Sequence, residues 1–264
     1  MAKATTKAVK QAPTLSAAQL SEMLGLIKGA DSVELKLTVP ETDHQSAVRS
    51  LELDILDAQI RQVVFFDTPD LELYRNGVVV RARRVQGKGD DSVVKLRPVV
   101  PDELPAKLRK SPNFGVEVDA MPGGFVCSGS LKAQWGPATV KGVLTGDRPI
   151  RKVFSGEQRD FFAAHAPKGR TLDDLVPLGP LNVLKLRFLP KGFPRKMVAE
   201  VWFYPNGTRI LELSTKCLPN EAFQVAAEAR AFLFGHGVDT SGFQQTKTRA
   251  ALEHFSKVLQ ANAT

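Results

Sequence analysis

The chain has 264 residues and a formal net charge of +8, and 43% of its residues are hydrophobic and 24% charged. This length fits one large β-rich domain or two small ones, and the composition is that of a soluble protein able to bury a sizeable core. The isoelectric point near 9.5 favours anionic partners, whether phosphate compounds, nucleic acid or an acidic surface.

Cysteine and histidine usage gives no support to a zinc site or a disulfide framework. Cys127 and Cys217 form no CxxC pair, and the four histidines show no HExxH spacing. The stretch MAKATTKAVKQAPT is basic but lacks the apolar core of a secretory signal, and no apolar run approaches the ~18 residues of a membrane span. We therefore expect a soluble, cytoplasmic protein with no membrane partner.

The first half of the chain alternates between helical and strand patterns. Residues 1–13 are predicted to be a disordered basic arm, and a helix follows over LSAAQLSEMLGLIKG. A second helix is predicted at 43–53, with Thr42 as its N-cap. The strands predicted in this half are SVELKLTVP, IRQVVFFD, GVVVRARRV, SVVKLRPVV and FGVEVDA.

The second half begins with a weaker pattern. Gly, Pro and Ser cluster at about 121–180, which we interpret as an excursion inserted into a single domain of residues 14–264. It holds one predicted helix, GEQRDFFAAHA, with Ser155 as its cap. The strands NVLKLRFL, KMVAEVWFY and TRILELSTK follow, the last two joined by an Asn-Gly turn. Helices are predicted to end the chain at 220–234 and 247–260.

The predicted strands share one feature, an apolar face opposite a charged face. In SVELKLTVP, for example, Val33 and Leu35 alternate with Glu34 and Lys36. The charged faces are segregated by strand. Some carry the basic rows Arg81, Arg83, Lys95, Arg97, Lys185 and Arg187, and others carry the carboxylates Glu34, Glu117, Asp119, Glu200 and Glu212.

Two arrangements are compatible with this alternation. A half-buried antiparallel sheet would turn its charges towards water. Because four amphipathic helices are available to cover the apolar face, the sheet can instead close, so that the charged face lines a lumen. Unpaired buried ions cost several kcal/mol each, so a lumen of this kind favours a bound polyanion, with an oxygen-ligated divalent metal between carboxylates and phosphate oxygens.

These segments also resemble a known family. FFDTPDLELYRNGVVVRARR is similar to the YFDTPDxxLxxxGxxLRxRR stretch of the CYTH domain, or triphosphate tunnel metalloenzymes, and SVELKLTVP resembles their ExExK opening strand. VVKLRP, GVEVDA, VLKLRF, VAEVWF and QQTKTRAAL follow in the expected order, so the resemblance covers about residues 33–255. It implies an α+β fold, an eight-stranded antiparallel closed β-barrel with helices packed outside.

The resemblance also implies a reaction and its residues. Inorganic triphosphate, or a nucleoside or thiamine triphosphate, would be hydrolysed with Mg²⁺ or Mn²⁺ by attack of water on the terminal phosphorus. Among the charged residues, the catalytic ones would be Lys36, Glu200 and Glu212. The triphosphate would be bound by Lys36, Arg81, Arg83, Lys95, Arg97, Lys185, Arg187 and Lys247. The metal would be held by Glu34, Glu117, Asp119, Glu200 and Glu212.

Two positions depart from the family pattern. Ser32 stands where the first glutamate of ExExK is expected, and Ser214 stands in ELSTK where ELELK is expected. Losing two carboxylates should weaken metal binding, particularly of a second ion, while the basic rows stay intact. A non-catalytic or weakly active protein that binds polyphosphate or a nucleotide is therefore an alternative.

Two further hypotheses concern the function of the chain. Adenylate cyclase activity occurs in the same family, but no adenine pocket is evident in the sequence. A nucleic-acid binder would agree with the net charge, but the basic residues fall on inward faces rather than on an exposed stripe interleaved with aromatics. Trp202 shares parity with Glu200 and is either a tunnel contact or a packing residue.

Overall fold

A computed structural model gives the fold of the chain and describes residues 15–242, 244 and 246–262. The arm predicted at 1–13 lies outside these residues. Among the helices that are described, none is both long and apolar enough to cross a membrane.

The strands form one closed barrel. Within the described residues there are nine: β1 Ser32–Val39, β2 Gln59–Asp67, β3 Val78–Val85, β4 Asp90–Leu96, β5 Phe114–Met121, β6 Gly124–Trp135, β7 Val176–Phe188, β8 Met197–Phe203 and β9 Arg209–Cys217. Around the barrel their order is β1-β5-β6-β4-β3-β2-β7-β8-β9, and β9 pairs again with β1. Closure of the sheet, which the two-faced strands allowed and the family resemblance implied, is confirmed.

The strand count and the strand directions differ from the prediction. The barrel has nine strands rather than eight, and it is mixed rather than purely antiparallel because β1 pairs with β5 in parallel. The strand missed by the sequence analysis is β6, which lies in the segment 121–180 interpreted as an excursion. Its middle reads Ser128, Gly129, Ser130, residue types that are uncommon in strands and gave no charged face.

Packing explains one of these small residues. A Cβ added at Gly129 would lie 2.8 Å from the ring of Phe114 on the neighbouring strand β5. The close approach of the phenylalanine ring therefore requires glycine at this point of β6. The remainder of the 121–180 segment contributes helices outside the barrel and the beginning of β7.

The helices pack around the barrel. The described residues form α1 Ala17–Gly29, α2 His44–Ser50, α3 Glu72–Arg75, α4 Ala106–Arg109, α5 Thr139–Leu144, α6 Gly156–His165, α7 Ala222–Gly235 and α8 Lys247–Asn262. The cap predicted at Ser155 is confirmed, since its side chain accepts from the backbone N–H of Gln158 in a capping box. The cap predicted at Thr42 is wrong: α2 begins after Asp43, and the Thr42 hydroxyl donates to the Asp43 carboxylate.

Two apolar clusters join the outer face of the barrel to these helices. In the first, α1 and α7 cover β1, β5 and β9, and Ile27 and Leu233 pack with strand residues such as Val33. In the second, α5 and α6 cover β3, β4 and β6, and Phe154 and Phe162 lie fully buried there. The apolar faces predicted for these strands therefore point outward into helices.

A third apolar cluster lies inside the barrel, at one end of the lumen. Val63 and Phe65 share their face with Arg83 and Arg81, so they point inward, and they pack with Leu252 of α8. The helix α8 lies across this end of the barrel. The lumen is therefore charged along much of its wall and apolar beneath α8.

Phe154 provides a test of the second cluster. Phe154→Ala should lower the free energy of unfolding by about 3–5 kcal/mol, because it leaves a cavity against Phe66, whose ring centroid is 5.9 Å away. Phe234→Ala is the control, since that side chain is 69% exposed and its removal should change little. Urea denaturation of both variants compares the losses, and similar losses would contradict the assignment of Phe154 to the core.

Candidate functional site

The lumen gathers the predicted charged residues, which lie on the inner face of strands all around the barrel. Strand register places Lys185 beside Glu200, Glu200 beside Glu212, and Lys36 beside Ser214, all on the inner face. The cations with this orientation are Lys36, Arg61, Arg81, Arg83, Lys95, Arg97, Lys132, Lys185, Arg187 and Lys216, and α8 adds Lys247. The carboxylates are Glu34, Asp91, Glu117, Asp119, Glu200 and Glu212. Cations outnumber carboxylates in this part of the molecule.

Three carboxylates converge at one place in the lumen. Each of Glu34, Glu117 and Asp119 offers an oxygen, and these oxygens all lie within 4.8 Å of one another. The parallel pairing of β1 with β5 causes this convergence, since it sets Glu34 beside Asp119. Carboxylate oxygens are the donors that Mg²⁺ and Mn²⁺ prefer, so this group fits a divalent cation.

The two serines that replace expected glutamates lie in this same group. The Ser214 hydroxyl donates to Glu34 Oε1 at 3.0 Å, and the Ser32 hydroxyl donates to Glu117 Oε2 at 3.3 Å. Lys216 also pairs with Glu117. Each serine therefore orients a remaining carboxylate by a hydrogen bond instead of supplying a ligand of its own.

Asp119 is the most strongly neutralised of the three carboxylates. Its oxygens lie 2.8 Å from Lys36 Nζ, 3.0 Å from Arg97 Nη2 and 3.7 Å from Lys95 Nζ. Burial alone would raise the pKa of Asp119, but the three cations outweigh it and hold that pKa far below its usual range. Burial lowers the pKa of Lys95 to about 8, because Asp119 offsets only part of the desolvation.

The remaining predicted carboxylates form a separate group with lysines. Glu200 Oε1 lies 2.7 Å from Lys185 Nζ, and Lys247 Nζ contacts Glu200 and lies 2.7 Å from Glu212 Oε1. Burial would raise the pKa of Glu200, but Lys247 and Lys185 lower it well below the ordinary value. The five carboxylates predicted as one metal set are thus divided, and only Glu34, Glu117 and Asp119 converge on each other.

Trp202 belongs to this second group. Its indole Nε1–H donates to Glu200 Oε2 at 3.1 Å, and Lys247 Nζ lies 5.2 Å from the ring centroid. The side chain is almost fully buried in the apolar cluster beneath α8. Trp202 is therefore a lumen residue that positions the Glu200 carboxylate and packs against α8.

Three charged lumen residues were missed by the sequence analysis, namely Asp91, Arg61 and Lys132, the last because the strand β6 was not predicted. Asp91 receives two hydrogen bonds of 2.8 Å from the fork of Arg83, and Arg61 points inward from β2, where it donates to Gln59. The alternation of DDSVVKL contained the signal for Asp91, but the predicted strand began one residue after it, at Ser92. Arg61 has the parity of Val63 and was passed over because β2 reads as almost wholly apolar.

The remaining predicted cations lie at different depths. Arg187 is exposed, at the end of β7 away from α8, whereas the Nε atom of Arg81 is buried and has no hydrogen-bond partner in the described part of the chain. Burial and the repulsion of Arg83 lower the pKa of Arg81 to about 10. A buried guanidinium with an unused donor favours an anion in the lumen.

Comparison with solved structures identifies the same fold elsewhere. A protein from Hippeastrum, described as a putative adenylyl cyclase with a dominant triphosphatase activity, superposes with a TM-score of 0.61 at 15% identity over 84% of this chain and 98% of that one. A putative adenylate cyclase from Bacillus halodurans gives a TM-score of 0.57 at 14% identity, over 83% and 97%. No protein-family model and no curated protein sequence matches the chain. The resemblance to the CYTH domain is thus confirmed at the level of the fold.

Glu200→Gln tests the second carboxylate group. At pH 7 it should lower the free energy of unfolding by about 3 kcal/mol, because Lys185 loses its buried partner and Lys247 keeps only Glu212. The Glu200 pKa is depressed in the folded state, so its stabilisation is present above the ordinary glutamate pKa and disappears as the pH falls through the folded-state value. The gap between variant and wild type should therefore narrow in acid.

Urea denaturation at neutral and acidic pH provides the measurement. Glu253→Gln is the matched control, because Glu253 also pairs with a cation, Arg249, but on the exposed surface of α8. We expect no measurable loss for it at either pH. Equal losses for the two variants at neutral pH would show that Glu200 does not hold the lysines.

Proposed function

We propose that this chain binds inorganic triphosphate, or a related nucleoside or thiamine triphosphate, in the lumen and hydrolyses it with Mg²⁺ or Mn²⁺. The observation that carries the proposal is the wall of inward cations that includes Arg81, a buried guanidinium with an unused donor. Triphosphatase activity of a protein with the same fold supports the choice of reaction. The reaction would consume water and yield phosphate and diphosphate or the corresponding nucleoside or thiamine diphosphate.

The charge balance of the lumen favours a polyanion over other ligands. The carboxylates are each engaged by cations or serines, while Arg61, Arg81 and Arg187 have no carboxylate partner among the described residues. Burial and, after it, the repulsion of Arg83 lower the pKa of Arg61 and Arg81, and phosphate oxygens beside these side chains would offset both effects. Arginine forks also match phosphate oxygens with two parallel hydrogen bonds.

The position of each residue in the lumen suggests whether it would bind the metal or the phosphate groups. Glu34, Glu117 and Asp119 would hold the divalent cation, which when bound would neutralise phosphate charge and activate water. Arg81, Lys95 and Arg97 would orient the phosphoryl groups and stabilise charge on the transferred group, with no covalent intermediate on the protein.

The position of Lys36 suits a catalytic role in this scheme. Its ammonium lies 2.8 Å from Asp119 and 3.2 Å from Glu34, so it touches the metal group and faces the phosphate site. Glu200 and Glu212 were predicted as catalytic residues and metal ligands. In this scheme they would instead hold Lys185 and Lys247 in place. Glu200 and Glu212 are positioning residues in this proposal.

Binding without turnover is the second candidate. Ser32 and Ser214 leave the metal group with three carboxylates, and Asp119 is already shared by three cations. Such a group would bind a metal weakly, while the inward cations of the lumen would still bind phosphate. A nucleic-acid partner receives less support, because most basic residues of the strands point into the lumen.

Phosphate release separates these candidates. Triphosphate, ATP, thiamine triphosphate and long-chain polyphosphate should be incubated with the wild type in Mg²⁺ or Mn²⁺, with a chelator control, and we expect metal-dependent release from at least one triphosphate. If triphosphate raises the melting temperature but neither metal permits release, the hydrolase proposal is lost and the binding protein remains.

Arg81→Ala tests the cationic wall. The substitution should weaken triphosphate binding by about 10- to 100-fold, because charge-assisted hydrogen bonds are lost in a buried site. Arg84→Ala is the control, since Arg84 has the opposite parity on the same strand and donates to Gln62 outside the lumen. Calorimetric titration without metal gives the dissociation constants, and equal constants for the two variants would place the phosphate elsewhere.

Ser32→Glu tests the carboxylate deficit. A fourth carboxylate beside Glu117 should tighten Mn²⁺ binding by about 10-fold, because affinity for hard cations rises with the number of charged ligands. Ser46→Glu, on the exposed surface of α2, adds the same charge away from the lumen and should leave the affinity unchanged. Electron paramagnetic resonance of free Mn²⁺ measures both, and no gain for Ser32→Glu would make the serine irrelevant to metal binding.

A further inference from the structure

One sector of the outer barrel wall is only partly covered by helices. Register aligns Ile60, Leu184, Val201 and Leu211 across β2, β7, β8 and β9 on the outer face. A groove of about 240 Å³ opens on this row, lined also by His44 and Val48 of the short helix α2. Elsewhere α1 and α7 or α5 and α6 pack against the apolar outer face, whereas this groove has only α2 beside it.

Exposed apolar side chains cluster around the groove. Leu56 is 94% exposed, Ile60 48%, Ile55 46% and Phe203 38%. Ile55 and Phe203 line the groove itself, and Ile60 neighbours Leu184 in its floor. Single exposed apolar residues are ordinary, but a contiguous group beside a groove is typical of an interaction surface.

The turn that presents Leu56 is held in shape by the chain. Residues Ile55–Asp57 form one turn of 3-10 helix, and the Asp54 carboxylate accepts from the backbone N–H of Leu56 at 2.9 Å. The leucine side chain is therefore displayed by an ordered turn rather than by a loose loop. We call the turn with its flanking acids the Leu56 tip, residues 54–57.

Charges of both signs stand on this surface, close to the apolar groove. Arg49 and Arg209 line the groove and are exposed, while Asp54 and Asp57 flank Leu56 on the tip. Within the described residues, no ion pair engages Arg49, Arg209 or Asp57. The acidic tip and the basic groove are thus complementary in charge.

We infer that this surface is the contact face of a symmetric dimer of the chain. A two-fold interface uses the same patch on both copies, so it requires a patch that complements itself. An apolar projection flanked by acids beside an apolar groove lined by arginines meets that requirement. An anionic bilayer or an anionic amphiphile would complement the arginines but would be repelled by Asp54 and Asp57.

The contacts of the dimer follow from this pairing. Leu56 of each copy enters the groove of the other, where it covers Leu184 and Phe203. Asp57 of each copy then faces the partner's Arg209, and the two contacts repeat by symmetry. The interface lies outside the barrel, so its success or failure is independent of what the lumen binds.

Sedimentation equilibrium of the full chain over low to high micromolar concentration tests the dimer. We expect the wild type to be a concentration-dependent dimer and Leu56→Asp to be a monomer, because a carboxylate cannot enter the apolar groove. Leu218→Asp is the matched control: Leu218 is 59% exposed just beyond β9, at the opposite end of that strand from Arg209, and this variant should remain dimeric.

Charge exchange then identifies the face. Arg209→Glu and Asp57→Lys should each be monomeric alone, because each places like charges opposite one another. Mixed in equal amounts they should form a heterodimer, in which both interface pairs again carry opposite charges. A wild type that stays monomeric throughout, a Leu56→Asp variant that stays dimeric, or a mixture that fails to associate would each overturn the inference.

Discussion

The pairing of β1 with β5 closes the barrel, and the arrangement of the lumen depends on that closure. In an open sheet the charged faces would be in contact with water, where each ion pair contributes little to the free energy of unfolding. Closure removes them from water and sets Glu34 beside Asp119, with Glu117 one step along the same strand. The parallel direction of this pair is what brings the three carboxylates to one point.

Charge in the lumen is organised into local groups rather than one uniform field. Asp119 is shared by Lys36, Lys95 and Arg97, and Glu200 is shared by Lys185 and Lys247. The attraction within each group offsets part of the desolvation cost of its buried ions, while the lumen as a whole keeps surplus cations. A multiply charged anion suits such a lumen because it can neutralise surplus positive charge at several places at once. A single small anion would neutralise it at only one place.

The same alternation that fills the lumen with charge makes the outside of the barrel apolar. That outer face has to be covered, and two sectors are covered by helices of the same chain. Where Leu184, Val201 and Leu211 align on the outer face, only the short helix α2 lies beside the strands, and a groove remains. A closed barrel with a charged interior therefore has an apolar exterior that must be buried. Association of two copies is one way to bury the part that the helices leave exposed.

The sequence by itself determined the two faces of most strands, the charged residues that share one face and the Ser155 cap, because each depends on neighbours within a few residues. Closure of the sheet was allowed by this alternation and implied by the family resemblance. Most of the barrel and most of the candidate site were accessible in this way. Only the tertiary structure decided the ninth strand, the parallel pairing and the division of five carboxylates into two groups. It also showed that Arg83 donates hydrogen bonds to the Asp91 carboxylate and that Arg61 points into the lumen. These features depend on register between strands far apart in the chain, and local alternation carries no record of which strands become neighbours.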